Sequence, residues 1–287
     1  MRTFVFTCLL LLGMTTFAQD ANFHIYLCLG QSNMEGNAKV EEQDTVAVDS
    51  RFQVLAAVDC PNLGRTKGNW YKAVPPLARC YTGLTPGDYF GRAMVANLPS
   101  NVQVGIINVA VGGCRIELFD KDNYQSYVET SPDWLKNMVK EYGGNPYARL
   151  VEMAKLAQKD GVIKGILLHQ GESNTNDKDW PSKVKGVYDN LLNDLGLSAA
   201  NVPLLAGEVV HADQNGVCAS MNTIIDSLPQ VIPTAHVISS AGCPAAFDNL
   251  HFTAEGYRIL GARYAAKMLS ILGYGDWTSA QNMKLWY

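Results

Sequence analysis

Five short stretches of the chain are dense in apolar and β-branched residues: 22–29 (NFHIYLCL), 102–110 (VQVGIINVA), 162–168 (VIKGILL), 202–210 (VPLLAGEVV) and 235–239. Near-continuous apolar runs of this length predict strands covered on both faces, as in a parallel sheet. Between them the apolar spacing changes to that of a helix. Asp88 is placed to cap a helix over 88–98 with Phe90, Met94 and Leu98 on one side, and a further helix is predicted over 134–141. Asn145-Pro146 opens another, with Leu150, Val151, Ala154 and Ala157 as its stripe and Asp160-Gly161 as its stop. Helices over 181–195, 221–228 and 253–272 follow, the last with Tyr257, Leu260, Tyr264, Met268 and Leu272 inward. Strands alternating with helices make one α/β domain around a mostly parallel, five-stranded sheet. Residues 37–85 lack periodicity and are punctuated by Pro61, Gly64, Gly68, Pro75, Pro76 and Gly83. A connection that long is expected to shape one rim of a site, with Trp70, Tyr71 and Tyr81 either packing or offering stacking faces.

The first residues do not belong to this pattern. Arg2, an apolar run over 4–13 and Thr16-Phe17-Ala18 read as an export signal cleaved after Ala18, which leaves a single domain over 19–287 and a secreted or periplasmic protein. The apolar run is shorter than the ~20 residues a membrane span needs, and no other stretch approaches that length. With a formal net charge of −4 and no basic cluster, the chain carries no electrostatic footprint for nucleic acid. Export permits disulfides: Cys60–Cys80 and Cys218–Cys243 are the expected pairs, and Cys28, inside the first strand, a buried thiol. The absence of any C-x-x-C spacing argues against structural zinc.

Polar turns supply the chemistry. The first strand runs into Gly30-Gln31-Ser32-Asn33-Met34-Glu35-Gly36, which presents a hydroxyl where open α/β sheets bind ligands. The second ends in Val111-Gly112-Gly113-Cys114-Arg115, and glycine there can bring a bare N–H against a ligand oxygen. The third ends in His169-Gln170-Gly171-Glu172-Ser173-Asn174, and Asp248-Asn249-Leu250-His251 precedes the final helix. A histidine three residues after an aspartate can have one ring nitrogen held by the carboxylate while the other activates a serine. In a parallel sheet these turns converge on one edge. Ser32, Asp248 and His251 are therefore candidates for nucleophile, orienting acid and base, with the N–H groups of Ser32 and Gly113 and the amide of Gln170 as oxyanion donors.

Together the four blocks resemble the SGNH (GDSL-type) hydrolases, and within them the branch of carbohydrate esterase family 6 acetylxylan esterases and sialate O-acetylesterase-like proteins. The resemblance implies a three-layer, flavodoxin-like α/β/α sandwich and a serine acetylesterase acting on acetylated carbohydrate with no metal or organic cofactor. Its residues carry over as Ser32, His251 and Asp248 for catalysis, and Ser32, Gly113 and Gln170 for the oxyanion hole. Two positions depart from the wider family: Gln170 stands where most SGNH enzymes have asparagine, and His169 where an aromatic residue is common. Gln31, Asn33, Arg115, His169 and Glu172 are further candidates for support or substrate contact, as are Glu117 and Glu208 for sugar. Rival readings are a lipid, aryl or thioester hydrolase, a carbohydrate-binding protein without catalysis, a nucleotide-binding protein, which lacks G-x-G-x-x-G and P-loop motifs, and a metallohydrolase built from His169, Glu172, His211 and Asp213, which lacks a ligand motif.

Overall fold

The first strand, β1 (Asp20–Gly30), divides its side chains between two cores. Ile25, Leu27 and Leu29 enter one, Tyr26 and Cys28 the other, as the two-residue repeat of a strand buried on both faces requires. The computed structural model describes residues 19–275, so the expected export signal lies outside them. After β1 come α1 (Ser32–Glu35), α2 (Glu42–Thr45), β2 (Phe52–Leu55), β3 (Trp70–Lys72), α3 (Pro86–Asn97) and β4 (Gln103–Ala110). The middle of the chain supplies α4 (Tyr124–Thr130), α5 (Asp133–Glu141), α6 (Pro146–Ala157), β5 (Gly161–His169) and α7 (Trp180–Leu195). β6 (Leu204–Gly207), α8 (Asn222–Ile225), α9 (Leu228–Val231), β7 (Ala235–Ile238) and α10 (Ala254–Ile271) complete it.

The sheet has the order β3-β2-β4-β1-β5-β6-β7, parallel except where β3 pairs with β2. One core packs α5, α6 and α7 against it through Leu135, Val139, Leu150, Met153, Val184 and Leu191. The other packs α3 and α10 through Phe90, Met94, Leu260, Tyr264 and Met268. The result is a three-layer α/β/α sandwich.

Seven strands form instead of the five read from the sequence. The additional two lie in the 37–85 segment and are only four and three residues long. Phe52 and Val54 alternate with the half-buried Gln53, but buried Leu55 and Ala56 break the pattern after three residues, too few to mark a strand. Pairing with β4, not local pattern, makes it a strand. The start of α3 also shifts. Thr85 is the cap, Pro86 takes the first helical position, and the Asp88 carboxyl group reaches back to accept the Thr85 N–H at 2.9 Å in a capping box. Residues 221–228 form α8 and the start of α9 rather than one helix.

Cys60 and Cys80 are bonded. Cys218 and Cys243 are not: Cys218 packs against the core under α7 and Cys243 belongs to the core under α10, so the sheet separates them. Cys28 is buried, which pushes its thiol far above the ordinary range. Among the described residues no helix is long and apolar enough to cross a membrane.

Candidate active site

Parallel register brings the polar turns together. Gly30 lies opposite Ala110 on β4 and His169 on β5, so three neighbouring strands release the chain at one level. The strand order also reverses there, on either side of β1, where open sheets leave a crevice. Gly30 is needed for that closeness. Its φ is +147°, and a Cβ on it would stand 2.0 Å from the His169 carbonyl oxygen.

Ser32 opens α1 with its Oγ 2.8 Å from His251 Nε2, and His251 Nδ1 lies 2.7 Å from Asp248 Oδ2. A carboxylate has no hydrogen to give, so the imidazole proton sits on Nδ1 and Nε2 is left to accept from the serine. The other Asp248 oxygen accepts the N–H groups of Leu250 and His251, both at 3.0 Å. Asn249, at φ +53°, makes the tight turn between them, a conformation asparagine tolerates better than most residues. Burial works to raise the pKa of Asp248. The imidazole and the two backbone donors outweigh it, so the carboxyl titrates below its usual range and is ionised at neutral pH.

Two backbone N–H groups near the serine hydroxyl have no acceptor among the described residues. The Ser32 N–H is among those a helix start leaves without an internal partner. The Gly113 N–H has no acceptor among the described residues, while its carbonyl is fixed by Ser173 Oγ at 3.0 Å. Its neighbour Gly112 stands so close that a Cβ there would lie 3.8 Å from Ser32 Cβ. Gln170 is oriented differently. Its oxygen accepts the Trp180 indole N–H, and its nitrogen serves Asn174 Oδ1 at 2.8 Å, Gln31 Oε1 at 3.1 Å and the Cys114 carbonyl at 3.3 Å. Both amide hydrogens are directed into the protein, so Gln170 ties the turns together.

The other candidates divide by partner. Gln31 Oε1 also accepts from Ser173 N at 3.2 Å, which braces the first turn against the third. Asn33, fully buried, donates to Glu172 Oε1 at 2.5 Å and to the Leu250 carbonyl at 3.1 Å. Its oxygen accepts Tyr257 OH at 2.6 Å and the Phe252 N–H at 3.4 Å. Asn33 therefore grips both chain neighbours of His251 from the residue beside Ser32. His169 is wholly buried edge-on to Phe252, with neither ring nitrogen hydrogen-bonded and Glu172 3.7 Å away. It packs inside the protein against Phe252.

Arg115 lies between Glu117 and Asp177 at 3.4 and 3.5 Å. Burial works against ionisation of Glu117, yet hydrogen bonds from Lys183 and Asn174 lower its pKa to about 2. Glu208 accepts from Ser239 and Ser240, a structural use. Trp70 packs on Phe23 and donates to Asp160, whereas Tyr81 is exposed. One link carries no sequence signal at all. Arg79, beside Cys80, pairs with Glu35 at 2.6 Å and Glu141 at 2.5 Å, fastening α1 to the 37–85 segment and to α5. A cleft of about 660 Å³ opens there, lined by Glu35, Asn37, Lys39, Arg79 and Tyr81. Among the described residues no three His, Cys, Asp or Glu side chains converge as metal ligands would.

Known proteins share this architecture. A protein of Arabidopsis thaliana described as a probable carbohydrate esterase is 25% identical over 264 residues, 86% of this chain and 90% of the relative. The solved structure of the Arabidopsis protein AT4G34215 superposes with a TM-score of 0.66 at 22% identity, over 86% of this chain and 98% of that one. NanS gives 0.63 at 14% identity over 90% and 99% of the two chains. A carbohydrate acetylesterase of Xanthomonas citri gives 0.59 at 18% identity over 86% and 56%. At these identities the structural likenesses establish a shared fold. The model of the family described as carbohydrate esterase, sialic acid-specific acetylesterase matches residues 22–270; the chain belongs to that family and is an ester hydrolase.

Proposed function

We propose that the protein is a secreted O-acetylesterase that removes acetyl groups from a glycan, acetylxylan foremost, through an acyl-enzyme on Ser32. The observation that carries this reading is the continuous hydrogen-bonded run from Asp248 through His251 to Ser32, at 2.7 and 2.8 Å. Nε2 of His251 takes the hydroxyl proton as Oγ attacks the acetyl carbonyl carbon. The imidazolium that forms faces an ionised Asp248, and the oxyanion meets the N–H groups of Ser32 and Gly113. Gln170, whose amide is held by Trp180, Asn174 and Gln31, supports the turn that stands beside these donors. Collapse of the tetrahedral species breaks the bond to the sugar oxygen, which leaves as an alcohol on the proton held at Nε2. Water then enters with His251 again as base and releases acetate.

The family's description favours O-acetylated sialic acid as a second substrate reading. Acetate release from acetylated xylan and from O-acetylated sialic acid decides between them, and a series of p-nitrophenyl esters of increasing acyl length tests the preference for acetyl. Ser32→Ala is expected to abolish hydrolysis of every ester. Undiminished turnover in that variant sinks the mechanism. Export is tested by sequencing the N-terminus of the secreted protein, with Gln19 expected first.

A further inference from the structure

Trp134 borders the glycine turn that follows β4. It lies in α5, whose Leu135 and Val139 are buried in the core, yet its own side chain is 53% exposed. No acceptor among the described residues takes its indole N–H. The six-membered ring lies against Gly113: a Cβ on that glycine would stand 2.6 Å from Trp134 Cη2 and 3.1 Å from Cζ3. Gly113 thus lacks a side chain for two independent reasons, its φ of +69° and the tryptophan lying against it.

We propose that Trp134 is the stacking platform for the sugar ring whose acetyl group is removed. This rests on the esterase reading above. With the acetyl carbonyl between Ser32 Oγ and the donors of Ser32 and Gly113, a single ester oxygen separates an acetyl on a ring hydroxyl, as in xylan, from the sugar ring, which must then lie over one wall of the turn. Trp134 forms the wall on the Gly113 side. The faces of a pyranose rich in C–H bonds suit an aromatic surface, and covering a half-exposed indole removes a large apolar area from water. Two other exposed aromatics fit less well. Tyr81 (88% exposed) lines the cleft at Glu35, and Phe247 is fully exposed one residue before Asp248. Neither lies against an oxyanion donor. The platform selects for a ring-bearing alcohol and leaves the acetyl chemistry itself unchanged.

The experiment compares wild type, Trp134→Ala and Trp134→Phe on acetylated xylo-oligosaccharides, O-acetylated sialic acid and p-nitrophenyl acetate. For the glycan ester that wild type cleaves best, Trp134→Ala is expected to raise KM about tenfold with little change in kcat, and Trp134→Phe to recover most of the loss. kcat/KM on p-nitrophenyl acetate should stay within about twofold, since a small aryl ester reaches the serine without a pyranose to place. In a Ser32→Ala background, titration with the same glycan ester should change tryptophan emission saturably, and the Trp134→Phe substitution should remove that change. An unchanged KM for glycan, or an equal loss on both kinds of ester, overturns the platform. Ser32→Ala separates the two claims. If that variant still cleaves p-nitrophenyl acetate, the esterase reading falls and the platform with it; if it is inert while Trp134→Ala binds glycan as wild type does, only the platform falls.

Discussion

Removing the Asn33 amide is expected to damage catalysis out of proportion to its distance from the reacting atoms. Asn33→Ala deletes one donor group and one acceptor and leaves Glu172 Oε1, the Leu250 carbonyl and Tyr257 OH, bonded at 2.5, 3.1 and 2.6 Å, without those partners. The Phe252 N–H, at 3.4 Å, adds little. Two buried groups and a part-buried carbonyl at about 1–3 kcal/mol each, not fully additive, amount to ~3–6 kcal/mol of lost stability. Glu172 weighs most, because it is a buried carboxyl whose other oxygen has no hydrogen-bond partner among the described residues. The kinetic effect has a separate origin. Leu250 and Phe252 flank His251, so releasing both lets the imidazole drift from Ser32, and misplacement by about 1 Å costs on the order of 10²-fold in kcat. Urea denaturation gives the first quantity. Turnover of p-nitrophenyl acetate, measured well below the variant's own Tm, gives the second. Asn33→Asp, which keeps the acceptor but sets a second carboxyl against Glu172, is expected to regain part of kcat as pH falls and the pair takes up a shared proton. A destabilised Asn33→Ala with kcat within about twofold of wild type would refute the reasoning, since the amide would then hold the fold and not the imidazole.

Two further predictions concern stability. Burial pushes the Asp88 carboxyl up to about 8 from an unfolded value of 3.8. The neutral form is thus the one the fold favours, and wild-type stability from this group falls as pH rises from about 4 to about 8, by up to ~1.4 kcal/mol per pH unit, then levels off. Asp88→Asn keeps an acceptor for the Thr85 N–H and has no charge to bury, so thermal melts at pH 4, 6 and 8 should show its advantage growing from near zero; parallel curves refute the assignment. The Cys60–Cys80 bond joins residues 20 apart. Its removal in Cys60→Ser/Cys80→Ser is expected to cost ~3 kcal/mol, lowering Tm by ~5–10 °C, with an unchanged melt as the contrary result.

The parts of the molecule legible in the sequence are those fixed by local chemistry. β1 and β4 show themselves as unbroken apolar runs because both faces are covered, and the turns after them show themselves because glycine and polar residues follow at once. Ser32 and Gly113 stand out as candidates on those turns, and Asp248 and His251 on the turn before the last helix. Other features depend on partners distant in the chain. β2 is a strand only because β4 lies beside it, and Arg79 reaches Glu35 from a segment with no period. The direction of the Gln170 amide is set by Trp180 and Asn174, which spacing does not reveal. Cys218 and Cys243 bracket a plausible loop in sequence but fall on opposite sides of the sheet. Trp134 reads as one more apolar residue in a helix, since only the fold lays it on Gly113.

The two halves of the proposed proton relay rest on very different ground. Ser32 stands at the tip of a strand shared by both cores, among the last places amide hydrogens would exchange with solvent, whereas His251 is carried by a half-buried turn outside the sheet, held by Asn33 and by backbone bonds to Ala246 and from Val217. Warming should therefore silence the enzyme in two stages: an early, reversible departure of the imidazole from a still-folded serine, and only later the collapse of the sheet itself.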